Sequence, residues 1–186
     1  WDHTLKQWDV ETGALIRTFE GHPANVNALD ISPDGRLAVS AGYDGDFRLW
    51  NIADGRLLRT FVGHDWSVNS VKFSRDGKRV LSSSTDKSAR LWDVATGREL
   101  RRYDGHDKFV TDAAFSPDGT RILSAAGDGW LILWNAATGA EIRRLRQDRK
   151  PVWAVAFSPD GTRAVSGGHA QVIKVWDLKT GKDVTP

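Results

Sequence analysis

His22, Ser40 and Asp44 recur as His64, Ser82 and Asp86, and again as His106, Ser124 and Asp128, each set 42 residues after the last. Ser, His and Asp are the residues of a hydrolase triad, in which His activates the hydroxyl and Asp orients the His. Repetition argues against that chemistry. A catalytic site needs an exposed nucleophile and an oxyanion hole, normally once per chain. Trp50, Trp92 and Trp134 follow the three sets at a fixed offset. The expectation is therefore a structural network beside a large ring. No catalytic residue is assigned, and the chain is not expected to be an enzyme.

Other chemistries are excluded by composition. The chain has 186 residues and no cysteine, which removes disulfides, thiolate metal sites and a cysteine nucleophile. Of the five histidines, His22, His64 and His106 belong to the repeated sets, and His3 and His169 show no metal-ligand spacing. No glycine-rich segment opens a helix to cradle phosphate. No cofactor and no metal are expected. A net charge of +2 is too small to indicate nucleic acid or a membrane surface. No apolar run approaches the ~20 residues of a membrane helix. The expected location is cytoplasmic. The chain has no methionine and begins Trp1-Asp2-His3, so it is read as a processed or trimmed product, and a missing signal peptide carries no information.

The elements that position these residues repeat as well. Trp8, Trp50, Trp92, Trp134 and Trp176 are each followed by Asp or Asn and lie 42 residues apart. A fixed period of this length marks one supersecondary unit copied in tandem. Within residues 22–63, Val26 to Ile31 alternates apolar positions and ends in the turn Ser32-Pro33-Asp34-Gly35. Arg36 to Ala41 follows. A turn at Tyr43-Asp44-Gly45 leads to Phe47 to Ile52, and Asp54-Gly55 leads to Leu57 to Val62. The spacing predicts four short antiparallel strands joined by hairpins, and almost no helix. Ser74-Arg75-Asp76-Gly77, Ser116-Pro117-Asp118-Gly119 and Ser158-Pro159-Asp160-Gly161 repeat the first turn.

Gly21-His22, Gly63-His64 and Gly105-His106, with Trp-Asp or Trp-Asn on a 42-residue period, resemble the WD40 family of β-propellers, with turns in a bacterial style. The resemblance covers essentially the whole chain. It implies an all-β propeller of four-stranded blades packed face to face around a channel. The chain divides into a half blade at 1–19 and successive blades at 20–62, 63–104, 105–146 and 147–186. The resemblance also implies a buried hydrogen-bond chain from Trp through Ser and His to Asp in each of the three sets. The fourth copy departs: Asp148 stands at the His position and Ala170 at the Asp position. That copy is expected to be the least stabilised.

Positions that differ between copies are candidates for specific work. They are Ala24, Trp66, Lys108 and Lys150; Asn25, Ser67, Phe109 and Pro151; Asn27, Asn69, Thr111 and Trp153; and Tyr43, Thr85, Gly127 and His169. The resemblance places these loops on one face. Trp66, Phe109, Trp153, Tyr43, Lys108 and Lys150 are then candidate contacts for proteins or peptides, since aromatics beside cations are the composition of interface hot spots. The competing reading is that Trp66 and Phe109 fold down as lids. Trp130, opposite Asp46, Ser88 and Val172 in the other copies, is a further candidate. The run from Arg143 to Lys150 is read first as a charged outer edge and second as a site for an acidic ligand.

The strand count comes to about four and a half blades. Three readings stand: a segment of a longer propeller, a ring completed by copies of the chain, or a small closed ring. The expected function is a non-catalytic scaffold for protein–protein contacts. The alternatives are a regulatory or targeting module of a larger enzyme, and a weak binder of anionic ligands.

Overall fold

Every regular element among residues 2–186, the part described by the computed structural model, is a β-strand. A half blade comes first: β1 (Leu5–Trp8) and β2 (Leu15–Phe19). Blade 1 follows with β3 (Val26–Ile31), β4 (Leu37–Gly42), β5 (Phe47–Asn51) and β6 (Leu57–Phe61). Blade 2 holds β7 (Val68–Phe73), β8 (Arg79–Ser84), β9 (Ser88–Asp93) and β10 (Glu99–Asp104). Blade 3 holds β11 (Val110–Phe115), β12 (Arg121–Ala126), β13 (Trp130–Asn135) and β14 (Glu141–Arg146). Blade 4 has three strands, β15 (Val152–Phe157), β16 (Arg163–Gly168) and β17 (Ile173–Asp177). An isolated bridge from Trp176 to Asp183 and a bond from Val184 N–H to Val175 O, at 2.7 Å, trace a fourth. Pairing within each sheet is antiparallel in sequence order, so each blade is a meander.

The Ser-X-Asp-Gly turns show why the first hairpin recurs. Ser74 Oγ donates to Asp76 Oδ1 at 2.5 Å and accepts from Arg79 N–H at 3.0 Å. Gly77 closes the turn at φ 68°, a conformation that a Cβ disfavours. The matching bond from Ser116 to Asp118, with the Thr120 backbone N–H, holds the Asp118 carboxyl down at about 2.

Packing between blades follows one rule. Val39, Phe47, Leu49 and Phe61 of blade 1 form one core with Val68, Val71, Phe73, Val80 and Trp92 of blade 2. Counterparts of these residues join blade 2 to blade 3, and blade 3 to blade 4. Each blade thus has a leading face that meets the trailing face of the next. Polar ties follow the same direction. Arg59 on β6 donates to Ala95 O and Thr96 O of the next blade, at 2.8 and 3.0 Å. Arg17, Arg101 and Arg143 reach forward in the same way. Arg79 and Arg121 lie over Phe115 and Phe157 of the following blades, each 5.8 Å from the ring centroid.

At the two ends this packing stops. Trp8 is 53% exposed, whereas Trp50, Trp92, Trp134 and Trp176 are buried. Leu29 and Ile31 on the trailing face of blade 1 are 56% and 53% exposed. On the leading face of blade 4, Ile173 is 70% exposed and Val165 42%. The half blade covers Ala38 and Trp50 of blade 1 but leaves Leu29 and Ile31 open, the leading face of blade 4 is open, and among the described residues the blades do not close into a small ring.

Candidate protein-interaction face

In blade 2 the polar set lies in a single line. Trp92 Nε1–H donates to Ser82 Oγ at 2.8 Å, Ser82 Oγ meets His64 Nε2 at 2.7 Å, and His64 Nδ1 meets Asp86 Oδ2 at 2.7 Å. Asp86 Oδ1 accepts from the Ser88 backbone N–H and from Ser88 Oγ. Burial alone would raise the Asp86 carboxyl, but the bonds from His64 and Ser88 outweigh it and hold the group well below the usual carboxylate range. Blade 3 repeats the line through Trp134, Ser124, His106 and Asp128, at 2.8, 2.8 and 3.0 Å. Gly63 and Gly105 sit against the six-membered rings of Trp92 and Trp134, so close that a Cβ would fall within 2.8–2.9 Å of ring carbon. The Gly of Gly-His is there to admit the indole.

Blade 1 is a variant of this line. Trp50 Nε1–H donates to Ser40 Oγ, and Ser40 Oγ meets His22 Nε2 at 2.7 Å. Arg48 then intervenes, with Nη1 2.8 Å from His22 Nδ1 and 2.5 Å from Asp44 Oδ2. The corresponding Arg90 divides its guanidinium between Asp86 and Glu99. Leu57 replaces that Glu in blade 1, so Arg48 turns inward. Burial and the Arg48 charge both push the His22 imidazole below its ordinary value. Asp46, in the place of Ser88, is raised by burial and then by the Asp44 carboxylate. Asp44 Oδ1 has no hydrogen-bond partner among the described residues.

Blade 4 keeps only the bond from Trp176 Nε1–H to Ser166 Oγ, at 2.8 Å. Gln147, at the Gly position of the other copies, is buried, and its Oε1 has no partner among the described residues. His169 instead lies 6.4 Å from the Trp153 ring. In all four blades the Ser hydroxyl is buried and accepts an indole N–H. A nucleophile needs an open approach, which none of these hydroxyls has.

The upper ends of the inner strands are built differently. Each pairing of first and second strand skips register at one place: Val26/Ala28, Val68/Ser70, Val110/Asp112 and Val152/Ala154. The skipped residues are Asn27, Asn69, Thr111 and Trp153. A bulge leaves its extra residue unpaired and re-aims the side chain. Here all four line one cleft of about 600 Å³, together with Tyr43 and Phe109. Two of the four also tie blades together. Asn69 Nδ2 donates to Val110 O at 2.7 Å, and Thr111 Oγ1 to Val152 O at 2.7 Å. Alternation of apolar residues gave no sign of the bulge. The one signal available in the sequence is that this position varies in type while the residue before it is Val in all four copies.

Of the candidate contacts, Tyr43, Phe109 and Trp153 meet at the cleft, with Phe109 and Trp153 6.2 Å apart. Phe109 also lies over Gly127, where a Cβ would come within 2.5 Å of its ring, so it serves as a lid on its own blade. Trp66 stands outside the cleft and is 65% exposed. Lys108 and Lys150 are exposed and do not line it. Trp130 is neither free nor part of the cleft: the Arg146 guanidinium covers its ring at 4.6 Å. Arg144 pairs with Glu141 at 2.9 Å. Arg144 and Arg146 are thus matched within their own blade, Arg143 reaches the next, and Arg149 and Lys150 are exposed.

Four-stranded blades, a Trp–Ser–His–Asp line and leading-to-trailing packing define a β-propeller of the WD40 class. The family described as WD domain, G-beta repeat matches residues 13–51, 55–93, 97–135 and 139–177, and the chain belongs to it. Each match begins in the turn just before the outer strand of one blade and ends with the third strand of the next. The chain is 50% identical over 48 residues to nuclear distribution protein PAC1 of Arthroderma otae, covering 26% of this chain and 10% of that protein. It is 44% identical over 45 residues to small ribosomal subunit protein RACK1y of Oryza sativa subsp. japonica, 24% of this chain and 13% of the relative. To target of rapamycin complex subunit LST8 of Bos taurus it is 40% identical over 43 residues, covering 23% and 13%. These alignments span about a tenth of each relative's length. Among the described residues no helix is long and apolar enough to cross a membrane, which does not bear on β-barrels.

Proposed function

We propose that the chain is a non-catalytic WD40 platform for protein or peptide partners, acting through the face that carries the Gly-His loops. The observation that supports this reading most is the convergence of the bulged residues with Tyr43 and Phe109 on one cleft with no charged side chain in its lining. Uncharged aromatic and amide groups bind by burial and directed hydrogen bonds, with little desolvation cost to repay. Trp66 extends the same face outward. Two of the similar proteins are, by name, subunits of larger assemblies, which suits a platform. The cytoplasm is the proposed location.

The test is affinity capture with the wild type, Trp153→Ala and Trp66→Ala side by side. Loss of the same partners by Trp153→Ala, with thermal stability unchanged, is the expected result. Retention of all partners by both variants would overturn the upper-face reading. Salt-dependent binding to a polyanion, abolished by Arg146→Glu, would favour the anionic-ligand alternative.

A further inference from the structure

The upper cleft gathers the starts of the inner strands. A second groove gathers their other ends and the turns that follow. It holds about 460 Å³ and runs over β7, β11 and β15. Its floor is apolar, made by Phe73, Ala114, Phe115, Pro117, Val155 and Ala156. Three charged residues line it: Lys72, Arg75 and Asp112.

The carboxylates around this groove are already engaged. Asp112 Oδ1 accepts from Ser70 Oγ at 2.8 Å and from the Ala113 N–H at 3.0 Å, and its Oδ2 accepts from the Val155 N–H at 3.1 Å. Asp30 accepts from the Phe73 N–H at 2.8 Å, and Asp76 is held by Ser74 and the Lys78 N–H in its own turn. Lys72 and Arg75 are exposed, and neither makes an ion pair among the described residues. Both depart from the repeat. The counterparts of Lys72 are Asp30, Ala114 and Ala156, and those of Arg75 are Pro33, Pro117 and Pro159. Pro at this place presets the turn. Blade 2 forms the same turn without it, through Ser74, Asp76 and Gly77. The blade plan requires neither cation, yet both stand on one groove.

We propose that this groove is a docking site for an acidic peptide segment, with an apolar side chain on the floor and flanking carboxylates paired with Lys72 and Arg75. Charge complementarity sets the sign of the occupant, since two free cations face one carboxylate that is spent on backbone and Ser70. The apolar floor sets its kind, because it rewards burial of a side chain, which a nucleic-acid backbone does not offer. Arg75 can grip a carboxylate through two parallel N–H bonds. The groove shares no lining residue with the upper cleft, so the two sites are independent.

Fluorescence anisotropy of the full chain with a labelled Asp-Glu-Leu-Glu-Asp peptide tests this, using Lys72→Ala, Arg75→Pro and the two combined. Each substitution installs the residue that other copies carry at that place, so the variants should melt like the wild type. Saturable binding by the wild type is expected, weakened at least ~10-fold in the combined variant, because charge-assisted bonds to carboxylate are lost. The neutral Asn-Gln-Leu-Gln-Asn peptide should bind more weakly, and so should Asp-Glu-Gly-Glu-Asp, which lacks the apolar side chain. Absence of saturable binding overturns the proposal. So does binding that the combined variant keeps in full, or binding that Asp-Glu-Gly-Glu-Asp or an oligonucleotide equals, since plain charge attraction would then suffice. Binding lost by Trp153→Ala and kept by the combined variant would place the peptide in the upper cleft instead.

Discussion

Blade 2 and blade 4 share a strand plan, the Ser-X-Asp-Gly turn and a buried Trp, yet they differ in how their interiors are satisfied. In blade 2 each polar group in the line from Trp92 to Asp86 has a partner, and Ser88 finishes it. In blade 4 the line stops at Ser166, and Gln147, at the Gly position of the other copies, is buried with an idle oxygen. Blade 2 also has a neighbour on both faces, while blade 4 has one on its trailing face alone. The Trp–Ser bond is therefore enough to seat the indole. The His and Asp serve to close the polar account of a blade whose interior water cannot reach.

The comparison can be broken most sharply at the tryptophans. Trp92→Ala is expected to cost about 3–5 kcal/mol by chemical denaturation, because a large ring leaves a packed junction. Trp8→Ala, at the bare end, should fall within ~0.5 kcal/mol of wild type, as surface changes do. Equal losses would show that burial at the junctions is not what the repeated Trp supplies.

Next in size is the polar line itself. His64→Ala strands Ser82 and Asp86 and should cost roughly 1–3 kcal/mol. Asp148→Ala, at the matching place in blade 4, should cost no more than ~0.5 kcal/mol. A thermal melt with no loss for His64→Ala would remove the network from the account of stability. Hydrogen exchange should find blade 4 opening before blade 2.

Blade 1 offers a gain. Asp46→Ser installs the residue that finishes the line in blade 2, gives Asp44 Oδ1 a donor and removes a carboxylate beside another. About 0.5–1.5 kcal/mol of added stability is expected, measured by denaturant midpoint.

The smallest effect is in pH. His22 has a depressed value in the folded chain, so below its ordinary value of about 6.5 the unfolded chain takes up more protons. Stability from this group is complete above that pH and is lost as pH falls through the folded value. His22→Gln should remove that slope. Asp86, also depressed, contributes above the ordinary carboxylate value of about 3.9 and loses its contribution only at lower pH. Melts at pH 7, 5.5 and 3, compared with His22→Gln, would separate the two windows.

Much of this was legible beforehand in particular residues. The strands expected at Val26 to Ile31, Phe47 to Ile52 and Leu57 to Val62 lie within one residue of β3, β5 and β6. The repeat made this possible, since each position is sampled several times and turns such as Ser116-Pro117-Asp118-Gly119 carry their own geometry. The cleft was only partly legible. Tyr43, Phe109 and Trp153, expected on one face, line it together, whereas Trp66, Lys108 and Lys150, expected beside them, do not. The bulge decides which residues turn inward, and a one-residue skip in register has no signature in apolar alternation. Trp130 is a contact candidate because its counterparts Asp46, Ser88 and Val172 are small or polar. Arg146, sixteen positions on, covers it through a pairing that exists only across the sheet.

The sequence by itself determined the unit: its period, four-strand plan, turns and the residues that satisfy each Trp. These depend on contacts within about forty residues, and tandem copying repeats them. Tertiary structure alone decided what happens between units. It set which face of a blade leads, where Arg59 and its counterparts anchor, and which residues converge on the cleft. Those outcomes come from stacking one twisted sheet on the next, and neither sheet carries that information alone.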